Sequence, residues 1–522
     1  MLAVVPSATL HGLEGRSITV EVDVAPGLPG FTVVGLGDTA VQEARERVRG
    51  AIRNAGFTFP PRRITVNLAP AELRKTGASL DLAIAIGILL GSEQVRAGRG
   101  PVALIGELGL DGDVRPVPGV LPMVAAVASG RVGRVIVAAA ASDEARLVEG
   151  IEVVGVTNLA EAAESVRGRS RRRPPVAMPR VTLDGSTAPV EAAGRRAAIV
   201  PLAPVPDIAE VRGQAEARRA LEIALAGGHG LLFSGPPGVG KTLLARTIPG
   251  LLPPLDDAAA LAVSIVASAA GEGPITALRR EPPFRSPHHT LSYAAMVGGG
   301  PNLTPGEITR AHHGILFLDE LAEFDRDVLE ALRQPLEEGR IVIARAGRVM
   351  AFPARFQLIA AMNPCPCGFA GSLPETRCRC LPGEIERYGR RISGPLRDRI
   401  DLWVAMPRMP AATLVSTAVP EDSASVGMRI AAARSLAASD RDRINGRLRG
   451  RALRRACRFE PEAERRLAEL ADAELASGRG TERLMRVART IADLAGSESV
   501  GRDHLDEAAW YRPPVARLAL AS

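Results

Sequence analysis

The sequence predicts a multidomain chain: an α+β N-terminal unit, an α/β core and an all-α C-terminal unit. Three observations carry this. At 522 residues the chain is several times the roughly 100–200 residues of one domain, so a single core is excluded. Between Pro206 and Met406 short apolar strands alternate with helical patterns, as in an α/β unit, whereas beyond Ala411 the apolar spacing is helical throughout. Between Val166 and Ile199 patterning stops, and Arg167, Arg169, Arg171, Arg172 and Arg173 run into Pro174-Pro175, which reads as a self-repelling linker. The expected divisions are residues 1–165, the linker 166–205, 206–406 and 407–522.

In the first unit, residues 18–24 and 31–34 read as strands. Asp38 is placed to cap an amphipathic helix running through Val48 and Ile52, with Gly56 as its stop. Residues 64–68 form another strand. The run 80–90 is apolar enough to be buried, but its periodicity fits helix or strand. Residues 102–110, the turn Asp111-Gly112 and residues 114–117 read as a hairpin, followed by a strand over 132–138. In the C-terminal unit, helices are expected over 462–476 and 482–495.

Hydrophobic residues make up 46% and charged residues 24%, near the soluble average, so neither global disorder nor a membrane protein fits. The longest apolar run, 82–90, is short of the roughly 20 residues that span a bilayer. The N-terminus lacks a cationic signal region, so a cytoplasmic location is expected. Of 65 Lys and Arg residues only Lys75 and Lys241 are lysine. A chain that uses Arg for almost every cation keeps Lys where a compact ammonium does something a planar guanidinium cannot. The net charge of +7 favours a polyanionic partner, though a solvated basic surface explains it equally.

Residues 230–234 form a short apolar strand leading into Gly235-Pro236-Pro237-Gly238-Val239-Gly240-Lys241-Thr242 and a helical stretch, 243–248. This is the phosphate-binding loop pattern in its required strand–loop–helix context. Its backbone N–H groups point at the phosphates of ATP, Lys241 reaches the β- and γ-phosphates, and Thr242 ligands Mg²⁺. A second apolar strand, 315–318, ends in Asp319-Glu320, placing Asp319 to orient the Mg²⁺ shell and Glu320 to polarise the attacking water. A third, 356–361, leads to Asn363, a neutral amide able to position that water.

These strings, with Gly-Ile-Leu-Phe-Leu-Asp-Glu-Leu, Ala-Ala-Met-Asn-Pro-Cys-Pro-Cys-Gly and Arg-Ile-Ser-Gly-Pro-Leu-Arg-Asp-Arg-Ile-Asp-Leu, resemble the YifB/ComM family of magnesium-chelatase-like AAA+ ATPases. The N-terminal stretches 31–36 and 63–70 match that family's Lon-protease-like domain, so the resemblance covers nearly the whole chain. It implies a Lon-protease-like α+β domain, a P-loop AAA+ core with pore inserts and a helical lid. It further implies that Asn363 is sensor 1, Arg399 the arginine finger and Arg479 the sensor 2 arginine of the lid. Arg397 stands where the family usually has an apolar residue, and the stretch around Gly480-Thr481 departs from the usual Ala-Tyr, which leaves Arg397 and Arg483 as possible substitutes. An arginine finger acts on a neighbour's nucleotide, so the resemblance implies a closed ring of identical chains, a hexamer.

Cys365, Cys367, Cys378 and Cys380 form two C-x-C pairs, able to bring four thiolates around one structural Zn²⁺. Reduced structural thiols or a redox switch remain open alternatives. Cys457 reads as an inert core residue. His288-His289 and His312-His313 lack ligand spacing and read as satisfied or exposed histidines. On the resemblance, residues 284–300 are the family's helix-2 insert, facing the ring's channel. Residues 341–343 and 349–352 form a second insert, the pre-sensor hairpin, whose cationic tip projects Arg345 and Arg348 towards DNA in that channel.

The Lon-like resemblance raises an ATP-dependent protease with a Ser–Lys dyad. Ser79 lies near the nucleophile's place, but no lysine occurs between Lys75 and Lys241, and Lys75 precedes Ser79, the wrong order for that family. The function implied by the resemblance is a ring-forming ATPase remodelling DNA, with branch migration in recombination or natural transformation. The alternatives are a chelatase-type motor acting on a protein partner and a scaffold whose ATP binding gates assembly.

Overall fold

The computed structural model of the chain describes residues 1–35, 39–73, 75, 77–130, 132–167, 204–300, 303–345, 348–371, 377–415, 420–441, 443–473 and 478–512, without the side chains of 39–42, 345, 348 and 473. The expected Asp38 cap, most of the Arg/Pro linker and the last residues of the 462–476 helix lie outside the described residues.

The first unit contains β1 (Leu2–His11), β2 (Glu14–Ala25), β3 (Gly30–Val34), α1 (Thr39–Asn54), β4 (Arg63–Ala69), α2 (Asp81–Gly91), β5 (Val102–Ile105), α3 (Val120–Ser129), β6 (Arg134–Ala138), β7 (Glu152–Val156) and α4 (Leu159–Val166). One sheet has the order β1-β2-β4-β3, and a parallel sheet has the order β5-β6-β7. Ile18, Val20, Val22 and Val24 alternate inward along β2, the period-two pattern of a half-buried strand.

The ambiguous run 80–90 is a helix. It is apolar on every side because it packs against β1, β2 and β5 together, and a helix apolar all round is a buried one. Gly87 is its point of closest approach: a Cβ there would lie 2.5 Å from Val22 Cγ2. The buried Asp81 carboxylate takes a bidentate pair from Arg47, at 2.7 and 3.1 Å. The strand expected over 102–110 is broken at Gly106, whose carbonyl accepts from the Leu82 N–H at 3.1 Å. Only Glu107-Leu108 and Val114-Arg115 resume the pairing, so the expected strand 114–117 is also shorter. Strand β1 has no counterpart in the sequence-based expectation, because its apolar residues do not alternate cleanly.

The core contains α5 (Ala215–Gly227), β8 (Leu231–Ser234), α6 (Lys241–Arg246), α7 (Asp257–Ala269), β9 (Phe284–Arg285), β10 (Ile315–Leu318), β11 (Arg340–Arg345), β12 (Arg348–Pro353), β13 (Gln357–Met362) and β14 (Leu402–Ala405). Five parallel strands lie in the order β9-β10-β13-β8-β14. Every residue of β10 and β13 is buried, as expected of a parallel sheet covered on both faces. Strand β8 lies between β13 and β14, so the chain reverses its direction of winding there. The carboxyl ends of the strands at such a switch point form a crevice where ligands bind. Leu261 of α7 shares an apolar cluster with Leu121, Val124 and Val135 of the first unit. Beside it Ser268 Oγ donates to Glu144 Oε1 at 2.5 Å, and the Leu121 N–H donates to the same oxygen at 2.9 Å.

The C-terminal region contains α8 (Ser423–Arg441), α9 (Gly450–Cys457), α10 (Pro461–Ala473), α11 (Gly478–Leu494) and α12 (Arg502–Trp510). Its Leu484, Ile491 and Leu505 share one core with Phe233 and Phe317 of the sheet, and Cys457 is buried in the same cluster. The mixed α/β architecture with parallel sheets and a helical C-terminal region fits an AAA+-like multidomain fold. No helix among the described residues is long and apolar enough to cross a membrane.

A buried polar network ties α11 to the sheet. Asp401, just before β14, faces His229 Nδ1 at 3.1 Å and Arg486 at 3.3 Å, and His229 Nε2 meets Thr490 Oγ1 at 2.8 Å. Burial pushes the Asp401 carboxyl up, but Arg486, the hydrogen bond from His229 and Arg483 outweigh it and hold it at about 2. A folded value below the ordinary 3.9 means that Asp401 stabilises the fold above about pH 4 and loses that contribution as pH falls towards 2. Asp401→Asn should therefore be less stable than the parent by about 2–3 kcal/mol at pH 6. Urea unfolding at pH 6 and pH 3 checks this, since the gap should narrow at the lower pH.

Candidate nucleotide site

The register of the sheet assembles the site. Ser234 is paired with Met362, and Leu318 with Ala360, so the residues that follow β8, β10 and β13 emerge together on one edge. The loop from Gly235 to Gly240 turns there, and Gly238 and Gly240 have φ of +79° and +96°. A Cβ on either would meet nothing within 4 Å. Glycine is required there for the left-handed backbone, and the space in front of the loop is open, a cradle that phosphate oxygens fit.

Lys241 is buried, and its ammonium donates to the carbonyls of Gly235 at 2.5 Å and Pro236 at 2.9 Å and to Asn363 Oδ1 at 3.1 Å. An ammonium has three donors, and here each has an oxygen. Burial lowers the Lys241 pKa, while Asp319 and Glu320 act against the shift. Thr242 Oγ1 donates to Asp319 Oδ2 at 2.6 Å, placing a hydroxyl and a carboxylate side by side, the hard oxygen pair that Mg²⁺ prefers. The structure thus brings Lys241, Thr242, Asp319 and Asn363 into one connected set.

Glu320 follows with φ of +52°, an uncommon conformation for a residue with a side chain. It is half exposed, and its Oε2 lies 3.0 Å from His289 Nδ1. His289 is itself stacked edge-on against Phe324, with ring centroids 6.4 Å apart. Sequence reasoning missed this contact, because metal-ligand spacing does not reveal a partner of Glu320. The other pair behaves as expected: His312 is buried and its Nδ1 accepts from the Arg355 N–H at 3.0 Å.

Arg399 and Arg479 both reach Glu337, Arg399 in a close ion pair and Arg479 at 3.5 Å. Arg399 lowers the Glu337 pKa, with a smaller effect from Arg479. Neither arginine contacts Lys241, Thr242, Asp319 or Glu320 of its own chain among the described residues. Arg397 points back into its own loop, donating to the carbonyls of Ile392 and Gly389. Arg483 is buried and donates to the Ile400 carbonyl at 3.2 Å. Of the four arginines, Arg399 and Arg479 are therefore the two gathered at one carboxylate.

Cys365, Cys367, Cys378 and Cys380 converge, with their four sulfurs within 4.8 Å of one another. The cluster could hold a metal ion. Strands β11 and β12 pair antiparallel, with Arg345 opposite Arg348 as the last pair before the tip. The side chains of both arginines lie outside the described residues. In the first unit Ser79 is buried and its Oγ donates to the Ala8 carbonyl at 3.2 Å, while Lys75 donates to the Pro70 carbonyl. Neither is presented to solvent as a nucleophile would be.

Three family models match. "Magnesium chelatase, subunit ChlI" covers residues 207–414, "Subunit ChlI of Mg-chelatase" residues 20–141 and "Magnesium chelatase, subunit ChlI C-terminal" residues 420–512. The protein YifB of Escherichia coli is 42% identical over 515 residues, covering 98% of this chain and 97% of that protein. The competence protein ComM of Haemophilus influenzae is 40% identical over 520 residues, covering 99% and 98%. The chain belongs to the YifB/ComM magnesium-chelatase-like family. A more distant relative, the magnesium-chelatase 38 kDa subunit of Rhodobacter capsulatus, is 26% identical over 324 residues, covering 59% of this chain and 86% of that protein. The YifB/ComM membership therefore extends over the first unit and the helical region as well as the core.

Proposed function

We propose that the chain is a cytoplasmic ATP hydrolase that works as a closed homohexameric ring and couples hydrolysis to remodelling of DNA, in branch migration during recombination or natural transformation. The observation that carries the ATPase reading is the connected set Lys241–Asn363 and Thr242–Asp319, with Glu320 beside it at the open edge of the sheet. In this reading Lys241 and the loop N–H groups from Gly235 to Gly240, with Pro236, Pro237 and Val239 shaping the turn, bind the phosphates of ATP. Thr242 and Asp319 hold Mg²⁺, which when bound neutralises charge on the phosphates. Glu320 and Asn363 orient and polarise the attacking water, and Arg399 and Arg479 serve a neighbouring copy's nucleotide. The cysteine cluster holds a structural Zn²⁺, since four thiolates in a closed set are its preferred ligands.

The DNA reading rests on family membership, a basic chain and a hairpin ending in Arg345 and Arg348. A steady-state ATPase assay with no DNA and with single-stranded, duplex and four-way DNA tests it. Stimulation by DNA is the expected result. Turnover without stimulation favours the chelatase-type motor acting on a protein partner, a reading supported by the magnesium-chelatase matches. No turnover leaves only the ATP-gated scaffold.

If the hairpin carries the affinity, Arg345→Ala with Arg348→Ala should weaken DNA binding and flatten its salt dependence by roughly one unit of slope for each phosphate no longer neutralised. Basal ATPase should survive. Fluorescence anisotropy against salt concentration checks this. Neutralising Arg171, Arg172 and Arg173 supplies the comparison, and a collapse confined to that variant would move DNA binding onto the linker.

A further inference from the structure

The four cysteines do not lie apart from the nucleotide site. Strand β13 ends at Met362, whose carbonyl accepts from the Gly235 N–H at 3.2 Å. Asn363, the acceptor for Lys241, comes next, and Cys365 follows two residues later. The turn then closes with the Gly368 N–H donating to the Cys365 carbonyl at 2.9 Å. Gly368 has φ of +86°, and a Cβ there would lie 2.8 Å from Pro237 Cδ and 3.8 Å from Asn363 Cγ. The cysteine turn is thus packed on both the phosphate loop and the amide that reads Lys241.

The sulfurs are arranged for one ion. Cys365 to Cys367, Cys365 to Cys378 and Cys367 to Cys378 are 3.4, 3.8 and 3.7 Å apart, and four thiolates around Zn²⁺ at about 2.3 Å have edges of about 3.8 Å. The Ala370 N–H donates to Cys365 Sγ at 3.3 Å, tying that sulfur to the backbone of the turn. None of the four is in a disulfide, so apart from weak S–H···S contacts a shared ion is the link that would fix the turn.

We infer that a Zn²⁺ ion held by Cys365, Cys367, Cys378 and Cys380 is a strut of the nucleotide site, fixing Asn363 and Pro237 and thereby the position of Lys241. This inference rests on the ATPase and zinc readings above and adds a coupling between the two sites. Such a coupling is reciprocal: if bound zinc tightens nucleotide binding, bound nucleotide tightens zinc binding by the same factor. The cysteines themselves are positioning residues, since none touches the loop's ligands directly.

The test uses the full chain under reducing conditions. Its zinc content is measured first, then the affinity of a fluorescent ATP analogue before and after removal of zinc, and after adding Zn²⁺ back. The equilibrium partition of zinc to a chromogenic chelator is measured with and without saturating non-hydrolysable ATP, in the parent and in Lys241→Ala. The expected results are one zinc per chain, about 10-fold or more weaker nucleotide binding on removal, recovery with Zn²⁺, and less zinc transferred at equilibrium with nucleotide in the parent only. The transfer arm needs no stripped protein, so it decides the matter even where removal unfolds the chain. Zinc bound, with transfer and affinity indifferent to the other ligand, overturns the coupling and leaves the metal site standing. A chain that neither contains nor takes up zinc overturns both, while the ATP titration separately reports whether the nucleotide reading survives.

Discussion

Glu320→Gln should bind ATP with near-normal affinity and hydrolyse it about 10²–10⁴-fold more slowly than the parent, the range expected on removing a general base. The carboxylate sits at the exposed end of β10, beside Asp319 but outside the set of contacts made by Lys241. On the function proposed above it acts on the water during chemistry and contributes little to the ground state. Lys241→Ala should show the opposite split. Its ammonium is the one buried cation of the loop, and losing charge-assisted bonds worth about 1.5–3 kcal/mol each should weaken nucleotide binding by about 100-fold or more. Isothermal titration with ATP, paired with a phosphate-release assay, separates the two variants. Normal turnover in Glu320→Gln would place the catalytic carboxylate elsewhere.

Arg399→Ala should leave ATP binding largely intact and lower turnover by about 10³-fold or more, the usual worth of an arginine finger. In the isolated chain this guanidinium is paired with Glu337 and with the Pro395 carbonyl at 2.7 Å, away from its own loop. The same Glu337 takes Arg479, so one carboxylate holds both arginines at a single surface. Arg397→Ala gives the control, because its guanidinium is spent on the backbone of its own loop. It should affect folding stability and leave the per-site rate within a few-fold. Turnover and melting temperature measured on both variants check the distinction.

The loop at 235–242 and the acidic pair after β10 were legible because their chemistry is written in contiguous residues whose strand context is local. The sheet then needed only parallel register to bring Thr242 to Asp319 and Lys241 to Asn363. What was not legible depends on contacts between distant segments. His289 meets Glu320 across an insert whose path no periodicity reveals, and Glu337 gathers two arginines from separate elements. The helix at α2 could not be told from a strand, because its burial on all sides erases the amphipathic signal. The break at Gly106 was invisible for a related reason: it is set by the approach of α2 and Val114, not by the strand's own composition.

Mixing two inactive variants tests most directly whether each nucleotide site is completed by a neighbouring copy of the chain, as proposed above. Lys241→Ala spoils the loop and keeps Arg399, while Arg399→Ala keeps the loop and spoils the finger. In randomly mixed rings half of the loops are intact and half of those face an intact finger, so turnover should recover to about a quarter of the parent's per-chain rate. Rings shown by differential labelling to contain both variants, yet with turnover no higher than either alone, would contradict the account and return Arg399 to a role within its own chain.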